Sequence, residues 1–237
     1  MSAHLSIESS NINVQPHDDP TRSGLTLDSI CCERGDRLLI QDLSLHIADG
    51  QGVRIEGPNG SGKTTLLRVI AGLSQQYDGQ VRWNGEDIRQ NASSLATECL
   101  YIGHLAGVKA LLTPLENLSW WLSLHIPSAK PISQEVQLQA LQSVGLDRFA
   151  DTPCHQLSAG QQRRIALARL YLSEHRLWVL DEPFTAIDAA GVVLLEQRIA
   201  EHLAQGGMAI VTTHQAMNIP GFTSHSLAAT SANGAIS

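Results

Sequence analysis

Gly57-Pro58-Asn59-Gly60-Ser61-Gly62-Lys63-Thr64 matches the pattern GxxxxGK(S/T), and the reading of this stretch decides the fold. Its glycines let the backbone curl until a ring of N–H groups faces a polyphosphate, an approach that a Cβ would block. Lys63 reaches the β- and γ-phosphates as a point charge, the Thr64 hydroxyl suits Mg²⁺, and Thr65 is counted with the loop. Residues 52–56 (Gly-Val-Arg-Ile-Glu) read as a short strand before it. Residues 63–71 read as a helix after it, whose N-terminus directs its dipole at the anion. A Gly-rich turn before an ordinary helix is the plain alternative, and the flanking strand and helix argue against it. The expected ligands are ATP and Mg²⁺.

The chain has 237 residues and a formal net charge of −7. That length suits one large domain or a core with a subdomain. No run of lysine or arginine offers a cationic face, so no nucleic-acid partner is expected. Residues 1–24 lack the cationic start and apolar stretch of a signal peptide. No apolar run approaches the ~20 residues that span a bilayer. The expectation is a cytosolic chain unless a partner holds it at a membrane. Cys31, Cys32, Cys99 and Cys154 show no CxxC and no paired zinc spacing. They read as small buried hydrophobes, with redox or haem chemistry at Cys31-Cys32 as the alternative.

Residues 1–24 and 218–237 are polar or rich in Ser, Ala, Thr and Gly, and read as poorly ordered tails. Between them, residues 25–31, 38–47, 52–56, 79–83 and 99–103 carry strand patterns, with Asn84-Gly85 as a turn signal. Thr113-Pro114-Leu115-Glu116 is a capping box with proline at the first helical position. It opens a helix with Leu115, Leu118 and Leu122 on one face. Ser133 starts a second helix, with Leu138 and Leu141 inward and an end near Gly145. Adjacent Trp120 and Trp121 lie about 100° apart on a helix, so one should be buried and the other free for a contact. Apolar strands return at 177–180 and 208–212, with a helix across 189–204 between them. This order predicts an α/β, RecA-like phosphate-loop core over residues 25–217. An antiparallel β subdomain and a helical subdomain inserted at about 104–172 complete it.

Two more constellations carry chemistry. Leu177–Leu180 is an apolar strand ending in Asp181 and Glu182. Beside a phosphate loop, Asp181 suits the Mg²⁺ site and Glu182 the general base. Without such a loop, an acid pair after a strand reads as a solvated turn. Leu157-Ser158-Ala159-Gly160-Gln161 places a second capping box, Ser158 to Gln161, at a helix entrance free of bulky side chains. Such an entrance can take an anion, although an ordinary capped helix fits equally well in isolation.

Together these segments resemble the nucleotide-binding subunits of ABC transporters, with Walker A at 57–64, an LSGGQ-like signature at 157–161 and Walker B at 177–182. A D-loop-like Ala186-Ile187-Asp188 and His214 after the last strand complete the set, which covers about residues 25–215. The resemblance implies two subunits paired head to tail around two ATP molecules. In that arrangement Ser158 and Gly160, with Ala159 and Gln161 beside them, meet the partner's γ-phosphate. His214 senses the same phosphate in its own chain, and Asp188 links the two sites.

Three positions depart from the family pattern. Ala159 replaces a glycine. Arg34 stands where an aromatic residue commonly stacks on adenine, and either stacks through its planar guanidinium or lies solvated at the surface. His104 stands where the family has a glutamine, and an imidazole there can coordinate a metal or accept a hydrogen bond. Cys32–Gly35, Gly103-His104, Glu116-Asn117-Leu118 and Thr212-Thr213-His214-Gln215 resemble one branch, the ATPase subunits of bacterial cytochrome c maturation systems. That branch implies integral membrane subunits as partners and a peripheral place on the cytoplasmic face of the inner membrane. Hydrolysis there serves haem export or release of a haem-loaded chaperone. An ABC transporter subunit for another cargo is the alternative. Soluble ABC proteins of repair or translation carry long coiled coils or tandem cassettes, and neither is visible here.

Overall fold

The computed structural model describes residues 23–35, 37–125, 132–185 and 187–227. The expected tails at 1–22 and 228–237, and Ala186 of the D-loop-like run, lie outside the described residues. In chain order the strands are β1 (Leu25–Arg34), β2 (Arg37–Ile47), β3 (Gly52–Glu56), β4 (Asp78–Trp83), β5 (Glu86–Asp87), β6 (Cys99–Ile102), β7 (Leu177–Asp181), β8 (Met208–Thr212) and β9 (Phe222–Ser226). The helices are α1 (Lys63–Ile70), α2 (Ala92–Ala96), α3 (Pro114–His125), α4 (Gln134–Ser143), α5 (Ala159–Ala168) and α6 (Ala189–Ala204).

Strand chemistry sorts these elements into two sheets. The half-buried, alternating strands make an antiparallel sheet of order β2-β1-β4-β5. Asn84 and Gly85, both at positive φ (50° and 84°), form the tight β4–β5 turn whose twist matches the strands. The apolar runs of β6, β7 and β8 join β3 and the polar edge strand β9 in a parallel sheet of order β6-β7-β8-β3-β9. Its strands β7 and β8 are buried along their whole length, which is why they show no polar alternation.

Period-2 geometry then divides the core in two. Leu177, Val179, Met208 and Ile210 pack with Leu66, Leu67, Val69 and Ile70 of α1 and with the inner face of the antiparallel sheet. Their strand neighbours Trp178, Leu180, Ala209 and Val211 point the other way, onto residues from α3, α4, α5 and α6. The helical layer between β6 and β7 is set by its caps. In α3 the Glu116 N–H donates to Thr113 Oγ1 at 3.2 Å while the Thr113 N–H donates to Glu116 Oε2 at 2.8 Å. Ser133 caps α4 by accepting from the Val136 N–H.

Three sequence expectations are corrected. Residues 222–226 are not tail but strand β9, paired with β3 from Gly52↔Phe222 to Glu56↔Ser226. As an edge strand it is held by backbone bonds and shows its polar side chains to water, so its composition resembles a tail. Strand β1 runs on to Arg34 rather than ending at 31. Leu138 is exposed, while Gln137 and Ala140 take the inward positions of α4 with Leu141. The short elements α2 and β5 carried no readable pattern. Trp121 is buried and Trp120 is exposed, as their 100° separation requires.

Candidate nucleotide site

The carboxyl ends of β3, β6, β7 and β8 lie side by side, and a parallel sheet binds its ligands at such an edge. The loop after β3 turns on Gly57 (φ 149°), Gly60 (φ 81°) and Gly62 (φ 95°). Sterics demand two of them. A Cβ on Gly57 would lie 2.7 Å from Ser61 Oγ, and one on Gly62 would lie 3.0 Å from Leu39 Cβ. Gly62 caps α1 without a side-chain bond, so the first N–H groups of the helix remain available to an anion. Lys63 Nζ donates to the carbonyls of Gly57 (2.7 Å) and Pro58 (3.2 Å), which holds its charge over the loop.

A cleft of about 550 Å³ opens on this loop, lined by Arg34, Asn59, Gly60, Gly62, Lys63, Thr64, Thr65, His104, Asp181, Glu182 and His214, and also by Arg37, Leu39 and Thr185. Arg34 and Arg37 are paired across the β1–β2 hairpin, so two cations from the antiparallel sheet line the cleft along with the carboxylates. Buried Asp181 is fully engaged: Thr64 Oγ1 donates to its Oδ2 at 2.8 Å and Thr212 Oγ1 to its Oδ1 at 2.8 Å. One carboxylate beside one hydroxyl, both hard oxygen donors, fits Mg²⁺, which keeps places for water and substrate phosphates. Among the described residues no group of three or more His, Cys, Asp and Glu could hold a metal by itself.

Glu182 follows with φ +50°, and its Oε1 lies 3.5 Å from His214 Nε2. His104 enters the cleft from the end of β6. It also lines a neighbouring cavity of about 410 Å³ with Thr64, Arg68, Tyr101 and Arg169.

A family model described as ABC transporter matches residues 40–185. This chain belongs to the ABC transporter family. The cassette is 53% identical over 190 residues to the cytochrome c biogenesis ATP-binding export protein CcmA of Pseudomonas fluorescens, covering 80% of this chain and 88% of that one. With CcmA of Saccharophagus degradans it shares 50% identity over 197 residues, covering 81% and 87%. Among solved structures it superimposes on an ABC transporter ATP-binding protein from Pyrococcus furiosus with TM-score 0.73 and 25% identity, covering 86% of this chain and 98% of that one. A dimeric ATP-binding cassette in a post-hydrolysis state with ADP and Pi gives TM-score 0.71 and 26% identity, covering 81% and 88%. The fold is the phosphate-loop NTPase fold of these cassettes, and the protein is an ATPase of the ABC type.

The remaining motif residues of the cassette stand apart from its own cleft. Ser158, Ala159, Gly160 and Gln161 open α5 through a reciprocal capping box: Gln161 N–H to Ser158 Oγ at 3.2 Å, and Ser158 N–H to Gln161 Oε1 at 2.8 Å. None of them lines the cleft. Asp188 caps α6, accepting from the Gly191 N–H at 2.9 Å, and meets Arg164 at 3.3 Å. The Gly191 N–H first, and Arg164 second, hold its carboxyl below the ordinary value. Sequence reading missed Thr212, Arg37 and Arg163. Only the buried Thr at the end of an apolar strand left a signal, because such a hydroxyl needs a partner.

Proposed function

We propose that this cassette is the ATP-hydrolysing subunit of a membrane complex in c-type cytochrome maturation, coupling hydrolysis to haem export or to release of a haem-loaded chaperone. The observation that carries this reading is the 50–53% identity to CcmA proteins over about four-fifths of the chain. The cleft supports the chemistry. The N–H groups of the 57–64 loop and the Lys63 ammonium bind the β- and γ-phosphates, and Arg34 contacts the base. Thr64 and Asp181 would hold Mg²⁺, which supplies charge against the phosphoryl oxygens. Glu182 takes the proton of the attacking water, a role that contributes about 10²–10⁴-fold. His214, whose Nε2 lies 3.5 Å from Glu182 Oε1, faces the γ-phosphate, while His104 borders the same phosphates from β6.

The signature residues Ser158, Ala159, Gly160 and Gln161 lie outside their own cleft, which supports completion of the site by a second copy of the chain. In that ATP-sandwich dimer Asp188 links the two sites. The membrane partners are integral subunits, with the cassette peripheral on the cytoplasmic face of the inner membrane. Among the described residues no helix is long and apolar enough to cross a membrane. Leu105 and Leu111, 84% and 85% exposed, and Trp120 supply an apolar surface on the helical side for those partners.

The test is genetic and enzymatic. In a strain lacking the gene, haem-stained c-type cytochromes are expected to disappear. The wild-type gene should restore them, whereas Lys63→Ala and Glu182→Gln should not. Purified Glu182→Gln should bind ATP yet turn over at least about 100-fold more slowly. Normal cytochromes in the deletion strain reject the pathway, and turnover within about threefold of wild type rejects Glu182 as the base.

A further inference from the structure

The peptide that joins Asp181 to Glu182 is gripped from both sides. Glu182 sits at φ +50°, in the left-handed region that a residue bearing a Cβ keeps only when its surroundings impose it. On one side its N–H donates to Thr212 Oγ1 at 3.0 Å and to the Thr212 carbonyl at 3.1 Å. On the other side Arg163 Nη2 donates to the carbonyls of Asp181 at 2.5 Å and Glu182 at 3.3 Å. The second arm of the same guanidinium, Nη1, donates to the carbonyls of Gly103 and, at 3.1 Å, of His104.

Arg163 is rooted in α5, just past the capping box at the entrance of the signature helix, and its side chain is buried. Its acceptors here are carbonyl oxygens, because both Asp181 carboxylate oxygens are already taken by Thr64 and Thr212. Burying a cation whose hydrogen bonds all go to backbone carbonyls is expensive, and an apolar side chain of similar volume would pack at lower cost. The planar fork does what a point charge cannot: it fixes the relative position of two strand ends. One bears His104 and the other bears Glu182.

We propose that Arg163 is a positioning residue that makes the direction of the Glu182 carboxylate depend on where the signature helix stands. The inference rests on Glu182 being the general base. Rotation of the 181–182 peptide swings the Glu182 Cα–Cβ bond. A shift of about 1 Å in a catalytic group can cost on the order of 10²-fold in rate. Movement of α5, when a ligand engages the helix entrance at Ser158 and Gly160, is therefore transmitted through one side chain to the base of the same chain. The signature helix thus sets its own chain's base while its entrance faces outward.

Arg163→Lys keeps the charge but loses the fork, and Arg163→Met keeps length without donors. Steady-state ATPase kinetics, fluorescent ATP-analogue binding and thermal unfolding of both variants, with Glu182→Gln as reference, test the proposal. The expected result is a kcat lowered about 10- to 100-fold, the larger loss in Arg163→Met, with KM and analogue affinity within about threefold of wild type. A merely structural anchor would move affinity, thermal midpoint and kcat together, and that pattern overturns the proposal. So does wild-type kcat in folded Arg163→Lys, the variant that decides if Arg163→Met fails to fold. If Glu182→Gln itself turns over at near wild-type rate, the fault lies in the base assignment and not in the clamp.

Discussion

Thr212 belongs to none of the motifs that make the cleft recognisable, yet both acids at the end of β7 depend on it. Its hydroxyl donates to Asp181 Oδ1 and accepts from the Glu182 N–H, and the side chain is completely buried. The registers Asp181↔Thr212 and Ile55↔Thr212 put it between the two strands that carry the acids and the phosphate loop. Thr212→Val preserves shape and removes only the hydroxyl. It should cost about 1–3 kcal/mol of stability, because one Asp181 oxygen loses its donor in a buried place. The carboxylate would then be held by Thr64 alone, so turnover should fall further than ATP affinity. Urea unfolding beside steady-state kinetics reads both effects, and a Thr212→Val protein matching wild type in each would remove Thr212 from the site.

At the level of elements, legibility followed how local the determinants are. The phosphate loop, the Asp181-Glu182 strand end and the capping boxes at Thr113 and Ser158 are each written within a few consecutive residues, so their positions could be read directly. The same is true of α6, whose bounds at 189–204 match the sequence pattern. Strand β9 was illegible because its stability comes from backbone pairing with β3, and a polar edge strand needs no apolar alternation. Arg163 was hidden for a related reason: its four acceptors are carbonyls, which carry no side-chain signature. The strand has consequences for truncation. Ile219 and Leu227 are buried, the Leu227 N–H donates to the Glu56 carbonyl at 2.8 Å, and the Phe222 ring covers Gly52. Ending the chain at Met217 should therefore cost about 3–6 kcal/mol from the two buried aliphatics alone. It also leaves the β3 edge unpaired beside the phosphate loop, so the thermal midpoint should drop and aggregation rise. A truncated protein that melts with the full chain would show β9 to be dispensable.

Across the whole molecule, burial of neutral titratable groups sets the pH range of the fold. His202 on α6 stacks on Trp178 of β7, with ring centroids 3.7 Å apart and planes 1° from parallel. Its Nε2 lies 3.2 Å from the carbonyls of both Arg176 and Met208, and Gly207 leaves room for the ring, since a Cβ there would come within 2.2 Å. Burial, the largest cause, lowers the His202 pKa from 6.5 to about 4. Burial also lowers His175 and His225. A lowered pKa means that the unfolded chain binds the proton more readily than the fold. The stabilisation from neutral His202 is therefore complete above about pH 6.5 and is lost as pH falls toward about 4. At the other end, burial raises Cys32 from 9.0 to about 11, so its share is present below about pH 9 and lost as pH rises through that interval. Stability should form a plateau between about pH 7 and 9 with a decline on each side. Between pH 7.5 and 5 the His202 contribution alone amounts to about 2 kcal/mol. His202→Phe keeps the stack on Trp178 but has no proton to gain, so the acid decline should flatten by that amount. Urea midpoints of both proteins across pH 5–8 measure it, and parallel declines would assign the acid sensitivity to other groups.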